Sequence, residues 1–89
     1  MLFYFKVYAK TDCSYCVAVI NKMAEHGFEH SLTLLDKAPE HHQTLKARYQ
    51  HDTVPIVVKV DSAGQELLIG GCDDFHAWLR DNGYEDAGL

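Results

Sequence analysis

The sequence predicts an α/β fold in which a four-stranded mixed sheet is flanked by helices. Three observations predict this class. The chain begins with alternating apolar and more polar residues, a pattern typical of a strand. Two later segments carry apolar residues at helical spacing, and a final pair of apolar runs flanks a turn at residues 61–64. The predicted order is β-α-β-α-β-β-α, with a parallel start and an antiparallel hairpin at the end.

The first strand is predicted over residues 2–9, and the first helix follows it. The alternating apolar residues of the strand are Phe3, Phe5 and Val7. Thr11 or Asp12 can cap the helix at its start, and Gly27 suits its C-terminal cap. The apolar residues at helical spacing are Cys16, Val17, Ile20, Met23 and Ala24. This stripe is expected to face the core.

The second strand is predicted over residues 28–35, with Phe28, Leu32 and Leu34 on one face. A second helix is predicted from Pro39, a residue that suits a first helical position, to about residue 50. Its apolar spacing runs through Ala38, His42, Leu45 and Tyr49. The adjacent histidines at 41 and 42 do not form a recognisable ligand pair, so a solvated helix face is favoured over a metal site for them.

The last part of the chain is predicted to form a hairpin and a helix. A β-branched strand is predicted over residues 54–60, where Pro55 is tolerated because it lies at the strand's start. Residues 65–69 form the returning strand. The final helix opens at Cys72, Asp73 or Asp74, continues through Phe75, Trp78 and Leu79, and ends at Asn82 and Gly83. Its acidic first turn suits the helix dipole.

Length, charge and cysteine content limit the function. The 89 residues are expected to form a single domain, residues 1–89. A net charge of −5 argues against nonspecific binding to nucleic acid or anionic membranes. Lys6 interrupts the apolar start and no small-residue cleavage site follows, so no signal peptide is expected. Three cysteines suit a reducing compartment, and the cytoplasm is the expected location.

The segment at residues 10–16 carries the chemistry. Its two cysteines, Cys13 and Cys16, are three positions apart at the start of a predicted helix. Unpaired N–H groups and the helix dipole favour a thiolate there, so Cys13 is interpreted as the nucleophile. Cys16, one turn further along and facing the core, is interpreted as the resolving thiol. One half of a zinc site is the competing interpretation, but zinc needs about four ligands, and no second CxxC motif is present.

Three separated signatures resemble those of the glutaredoxins. They are Lys-x-x-Cys-x-Tyr-Cys at residues 10–16, Thr-Val-Pro at residues 53–55 and Gly-Gly-Cys-Asp-Asp at residues 70–74. The resemblance spans nearly the whole chain and looks like a compact bacterial or phage-type member. It implies a thioredoxin-like fold and glutathione-dependent thiol–disulfide exchange.

The resemblance also implies a set of site residues. Cys13 and Cys16 match the catalytic pair, and glutathione is the implied co-substrate. The residues that match glutathione-binding positions are Lys10, Tyr15, Thr53, Val54, Pro55, Gly71, Cys72, Asp73 and Asp74. Pro55 matches a proline preceded by a cis peptide bond, and the start of the last helix matches the loop that binds the γ-glutamyl end. Disulfide-bonded or glutathionylated proteins are the implied partners, with ribonucleotide reductase a possibility at family level only.

Several residues depart from the commonest family pattern or have more than one possible role. Ser14 replaces the usual proline, and family members with serine there include dimers that bind a [2Fe–2S] cluster with two glutathiones. The alternative function is therefore a cluster scaffold with Cys13 as ligand, dimeric only when the cluster is bound and otherwise monomeric. His41 and His42 stand where Arg or Lys often faces the glycine carboxylate of glutathione. Cys72 is either a small buried residue or a thiol beside the groove. A redoxin reduced by thioredoxin reductase is a third possibility.

Overall fold

The secondary-structure elements follow the predicted order, with one short helix added. The computed structural model describes residues 2–51 and 53–86. Its elements are β1 (Phe3–Ala9), α1 (Ser14–His26), β2 (His30–Leu34), a 3₁₀ helix (Leu35–Lys37), α2 (Pro39–Tyr49), β3 (Ile56–Asp61), β4 (Glu66–Gly70) and α3 (Cys72–Asp81). The predicted β-α-β-α-β-β-α order is therefore confirmed. None of these helices is long and apolar enough to cross a membrane.

The sheet has four strands in the order β2-β1-β3-β4. β1 pairs with β2 in parallel, with Phe5 opposite His30. β3 pairs antiparallel with β1 and with β4, and the β3–β4 ladder shifts register between Val57 and Val58. The sheet is therefore mixed, as predicted, and the C-terminal end of β1 lies beside the start of β3.

Helices bury both faces of the sheet. On one face, α1 and α3 cover a cluster made of Phe5, Val7, Val19, Met23, Phe28, Val57, Phe75 and Leu79. On the other face, α2 and the 3₁₀ helix cover a cluster made of Tyr8, Leu35, Leu45, Ile56, Val58 and Val60. Because successive strand residues point to opposite faces, Val7 and Tyr8 of β1 lie in different clusters. The first strand thus has two buried faces at its C-terminal half, where the sequence predicted one.

α1 is turned relative to its predicted orientation. Cys16, Val19 and Met23 are its buried residues, while Val17 is 54% exposed. The predicted stripe also included Ala24, which is exposed. The prediction that Val17 and Ala24 are buried was wrong. Apolar side chains lie on both sides of the predicted stripe, and packing against α3 determines which side is buried. Gly27 ends the helix with a φ of 70°, as predicted.

β2 is shorter than predicted and lies at an edge of the sheet. It covers His30–Leu34, and Phe28 precedes it in the core. Leu32 and Leu34 are 48% and 39% exposed, although the alternation predicted that they share the buried face with Phe28. The difference arises because the two buried clusters lie over the other strands and include no residue of this edge strand.

A polar network joins the outer strand β4 to β1 and α2. The Glu66 carboxylate accepts hydrogen bonds from Lys6 Nζ at 2.9 Å and from Tyr49 Oη at 2.6 Å. Arg48 donates a longer bond of 3.3 Å. The hydrogen bond from Lys6 is the main cause of a lowered pKa for Glu66. Burial and the neighbouring carboxylate raise the pKa of Tyr49 to about 12.

Candidate active site

Cys13 and Cys16 form a disulfide bond at the N-terminus of α1. Their Cα atoms are 5.2 Å apart. Cys16 is 2% exposed, whereas Cys13 is only partly buried. The pair therefore has the predicted arrangement, in which one sulfur lies near the surface and the other faces the core.

Cys13 caps α1 with its own side chain. Its backbone is extended, and its Sγ accepts a hydrogen bond of 3.2 Å from the N–H group of Cys16. The prediction that Thr11 or Asp12 provides the cap was wrong. Asp12 instead adopts a left-handed backbone with a φ of 59°, and the Thr11 N–H group donates to Asp36 Oδ1 at 3.2 Å.

The surroundings of Cys13 favour a thiolate when the disulfide is reduced. A backbone N–H donates to its sulfur, and the positive end of the α1 dipole lies at the same point. The first turn of α1 contains no acidic residue.

A groove of about 420 Å³ lies beside the cysteine pair. Its lining residues are Tyr15, His51, Thr53, Val54, Pro55, Gly71, Cys72, Asp73 and Asp74. Three segments distant in sequence meet here: the first turn of α1, the loop before β3 and the start of α3. Every residue predicted to bind glutathione lines the groove except Lys10, which is exposed at the end of β1.

The loop before β3 has the predicted backbone conformation. The Val54–Pro55 peptide bond is cis. Pro55 is buried, Val54 is partly buried and Thr53 is exposed. The side chain of Thr53 lies 3.5 Å from Nε2 of His51.

His51 is a groove residue that the sequence analysis did not identify. It is half-buried and follows the end of α2 by two residues. Its only sequence signal was its position two residues before the Thr-Val-Pro signature. The distance from its Nε2 to the position that a Cβ would take on Gly71 is 3.7 Å, which places the imidazole at the start of α3.

Asp74 has a structural role at the start of α3. Its Oδ2 accepts a hydrogen bond of 2.9 Å from the Gly71 N–H group, which closes the first turn. Gly70 has a φ of 122°, and a Cβ there would collide with the Asp74 carboxylate. Asp73 is exposed and makes no such cap, so it is the more available of the two predicted aspartates.

Cys72 is a partly buried thiol in the groove wall. It therefore combines features of the two alternatives, a small buried residue and a thiol beside the groove. Burial is the main cause of its raised pKa, and the charge of Asp73 adds to the effect. Its Sγ lies 3.5 Å from Nδ1 of His76, which in turn lies 2.8 Å from the Cys72 carbonyl oxygen. The ring N–H therefore donates to the carbonyl, and Cys72 remains a neutral thiol at neutral pH.

The two histidines of α2 have different environments. His41 is exposed, with its ring 5.9 Å from that of Tyr8. His42 is 8% exposed, so the predicted solvated face was wrong for this residue. Burial lowers the pKa of His42, and the charges of Lys10 and Lys46 lower it further.

One carboxylate–imidazole group contains residue types that can bind a metal ion, and an ammonium group forms ion pairs with its carboxylates. Ligand atoms of Glu25, His26 and Glu85 lie within 4.8 Å of one another. Lys22 Nζ lies 2.7 Å from Glu85 Oε2 and 3.2 Å from Glu25 Oε2. Hydrogen bonds from Lys22 and His26 lower the pKa of Glu85. The cluster links α1 to the segment after α3.

A [2Fe–2S] cluster would need thiolates from outside a single chain. Such a cluster takes four thiolates in its common form. Of the three cysteines, Cys16 is buried and bonded to Cys13, and Cys72 is a neutral thiol in the groove wall. One chain therefore does not form a cluster site by itself.

Comparison with known proteins identifies the family. The glutaredoxin family model matches residues 5–62, more than half of the chain. A curated-protein search yields no significant match. Among solved structures, the buckwheat glutaredoxin–glutathione complex is 27% identical, with a TM-score of 0.75 over 92% of this chain and 73% of that one.

Two further glutaredoxins have similar structures. The holo form of glutaredoxin C1 from Populus tremula x tremuloides is 26% identical, with a TM-score of 0.75 over 93% of this chain and 73% of that one. Wheat glutaredoxin is 29% identical, with a TM-score of 0.72 over 89% of this chain and 73% of that one. With its cysteine pair at a helix N-terminus and its four-stranded mixed sheet, the chain belongs to the glutaredoxin family of thiol–disulfide oxidoreductases.

Proposed function

We propose that the protein uses glutathione to reduce protein disulfides and glutathione mixed disulfides. Cys13 is the nucleophile and Cys16 is the resolving thiol. The observation that carries this proposal is the position of the groove, which shares Tyr15 with the segment between the two cysteines. A thiol bound in that groove is held beside the sulfur atoms that exchange.

The reaction on a glutathione mixed disulfide needs only Cys13. Its thiolate attacks the glutathione sulfur, a new S–S bond forms, and the substrate thiol leaves as a thiolate that takes up a proton. A second glutathione thiolate then attacks the sulfur of the glutathione bound to Cys13. Glutathione disulfide is released and the Cys13 thiolate is restored, so the net reaction converts the mixed disulfide and one free glutathione into the substrate thiol and glutathione disulfide.

The reaction on a protein disulfide uses both cysteines. Cys13 forms a mixed disulfide with the substrate, and Cys16 attacks Cys13 to release the reduced protein. The resulting Cys13–Cys16 disulfide is then reduced by two glutathiones in succession. The burial of Cys16 supports this division of roles, because its thiol is shielded from solvent but lies within bonding distance of Cys13.

The groove offers complementary groups for a tripeptide that carries charges at both ends. The backbone of Thr53 and Val54 can pair with the cysteine of glutathione as an added strand. The start of α3 offers N–H groups for a carboxylate, and Asp73 offers a carboxylate for an amine. The exposed Lys10 is proposed to bind the glycine carboxylate from outside the groove. A buckwheat relative that forms a complex with glutathione supports glutathione as the ligand.

A coupled assay tests the proposal against the thioredoxin-reductase alternative. NADPH oxidation should be rapid with glutathione, glutathione reductase and a glutathione mixed disulfide. It should be slow when thioredoxin reductase is the electron donor. Cys13→Ser should abolish the first activity because it removes the partly exposed sulfur of the pair. Faster turnover with thioredoxin reductase than with glutathione would contradict the proposal.

The same function suits a monomer in a reducing compartment such as the cytoplasm, which we propose as its location.

A further inference from the structure

We propose that His51 determines specificity for the γ-glutamyl end of glutathione by donating a hydrogen bond to its α-carboxylate. This inference rests on the proposed function and assigns a ligand group to one end of the groove. It concerns a residue outside the three signatures that carried the family assignment.

The position of His51 supports this role. The residue is half-buried in the groove wall, and its Nε2 faces Gly71, the residue that caps α3. Its contact in the described residues is Thr53 Oγ1 at 3.5 Å, the limit of hydrogen-bond distance. The ring nitrogen thus has capacity for a stronger partner at the start of α3.

The start of α3 is suited to an anion. The helix has ten residues, and its first N–H groups have no acceptor within the helix. Asp74 satisfies the N–H of Gly71, which leaves those of Cys72 and Asp73 at the positive end of the dipole. An imidazole N–H beside them makes a third donor for one carboxylate.

Neighbouring charges indicate which carboxylate of glutathione binds here. Glutathione has an α-amino acid at its γ-glutamyl end and a carboxylate without an amine at its glycine end. Asp73 lies next to the donors and is exposed, so it can bind an ammonium group at the same place. Paired sites for an anion and a cation fit the γ-glutamyl end, because only that end carries both charges.

A single-turnover experiment tests the assignment. Reduced Cys16→Ser protein is mixed with one of two mixed disulfides. In the first, 2-mercaptoethanol is bonded to glutathione; in the second, it is bonded to cysteinylglycine, which lacks the γ-glutamyl group. In both cases the Cys13 thiolate takes the peptide sulfur and 2-mercaptoethanol leaves as its thiolate. Acid quenching and mass spectrometry then give the second-order rate constant of adduct formation.

His51→Ala in this background should slow the reaction with the glutathione disulfide about tenfold, as expected for a lost hydrogen bond to a charged group. The rate with the cysteinylglycine disulfide should not change. His51→Gln, which keeps a donor, should recover most of the loss. The matched control is His30→Ala, which removes an exposed histidine from the edge strand β2 and should leave both rates unchanged.

The outcomes separate the two proposals. If His51→Ala slows both reactions equally, or neither, the role assigned to His51 is wrong while glutathione dependence stands. If the protein with His51 intact reacts equally fast with both disulfides, the γ-glutamyl group is not recognised. That result would overturn the glutathione groove itself and the inference with it.

Discussion

Replacing His42 with methionine should stabilise the protein. The imidazole is 8% exposed, and its Nε2 is buried without a hydrogen-bond partner among residues 2–51 and 53–86. Burying an unpaired polar group costs about 1–3 kcal/mol. Methionine fills a similar space with a flexible apolar chain, and repacking costs less than about 1.5 kcal/mol. A gain of about 1 kcal/mol in the free energy of unfolding at neutral pH follows.

The effect should depend on pH. Burial, with help from Lys10 and Lys46, lowers the pKa of His42 in the folded state. The unfolded chain therefore binds a proton more readily, and stability falls as the pH drops below about 6.5, the ordinary histidine value. The variant lacks this proton uptake, so its advantage over the parent protein should widen as the pH falls.

Urea unfolding at several pH values between about 5.5 and 8 measures both effects. Fluorescence of the single tryptophan, Trp78, reports unfolding because its ring packs against Phe5 and Tyr84. The matched control is His41→Met, which changes the exposed neighbour and should have little effect. A His42→Met protein that is less stable than the parent at neutral pH, with the same pH dependence, would refute the reasoning.

Four further changes have expected outcomes. Cys16→Ser should retain reduction of glutathione mixed disulfides and lose most protein-disulfide reduction, and equal loss of both would contradict the separate roles. Glu66→Gln should lower the free energy of unfolding by about 1–2 kcal/mol at neutral pH. Because the fold lowers the pKa of Glu66, the stability that its carboxylate contributes is present above about pH 4.5 and lost below it. If Glu66→Gln stayed less stable than the parent protein in acid, the loss would not come from the negative charge of Glu66. Gly70→Ala should cost about 2–3 kcal/mol in urea unfolding through backbone strain and loss of the α3 cap, and a neutral result would contradict the predicted clash. Anaerobic reconstitution with iron, sulfide and glutathione tests the cluster alternative: a glutathione-dependent chromophore on a dimer, weakened by Ser14→Pro, would support it, and a colourless monomer would oppose it.

The sequence was sufficient to predict the elements because local patterns specify them. Alternation in β1, Pro39 at the start of α2 and Gly27 after α1 are signals contained within a few residues. The cis peptide bond before Pro55 was predicted from a signature rather than from physics, since the residues alone permit either isomer.

Features that depend on tertiary packing could not be predicted. The choice between Val17 and Val19 as the buried side of α1 depends on where α3 lies. The exposure of Leu32 depends on β2 being an edge strand, which requires the strand order of the sheet. His51 lines the groove because the segment after α2 lies beside the start of α3, and this tertiary contact is not encoded in a local sequence pattern.

Corrections at the site have local causes that a sequence pattern does not reveal. Asp12 resembled a helix cap, but its left-handed backbone turns it away and the sulfur of Cys13 takes that place. Asp74 lines the groove at the position predicted from the family resemblance, and its carboxylate in addition accepts the Gly71 N–H group.

The most direct test of the central claim is to trap the intermediate on Cys13. Reduced Cys16→Ser protein is treated with a glutathione mixed disulfide, quenched with acid and analysed by peptide mass spectrometry. We expect one glutathione per chain, on Cys13, with Cys72 unmodified because its neutral thiol is a poor nucleophile. Glutathione found on Cys72, or no adduct at all, would contradict the assignment of Cys13 as the nucleophile of a glutathione-dependent reaction.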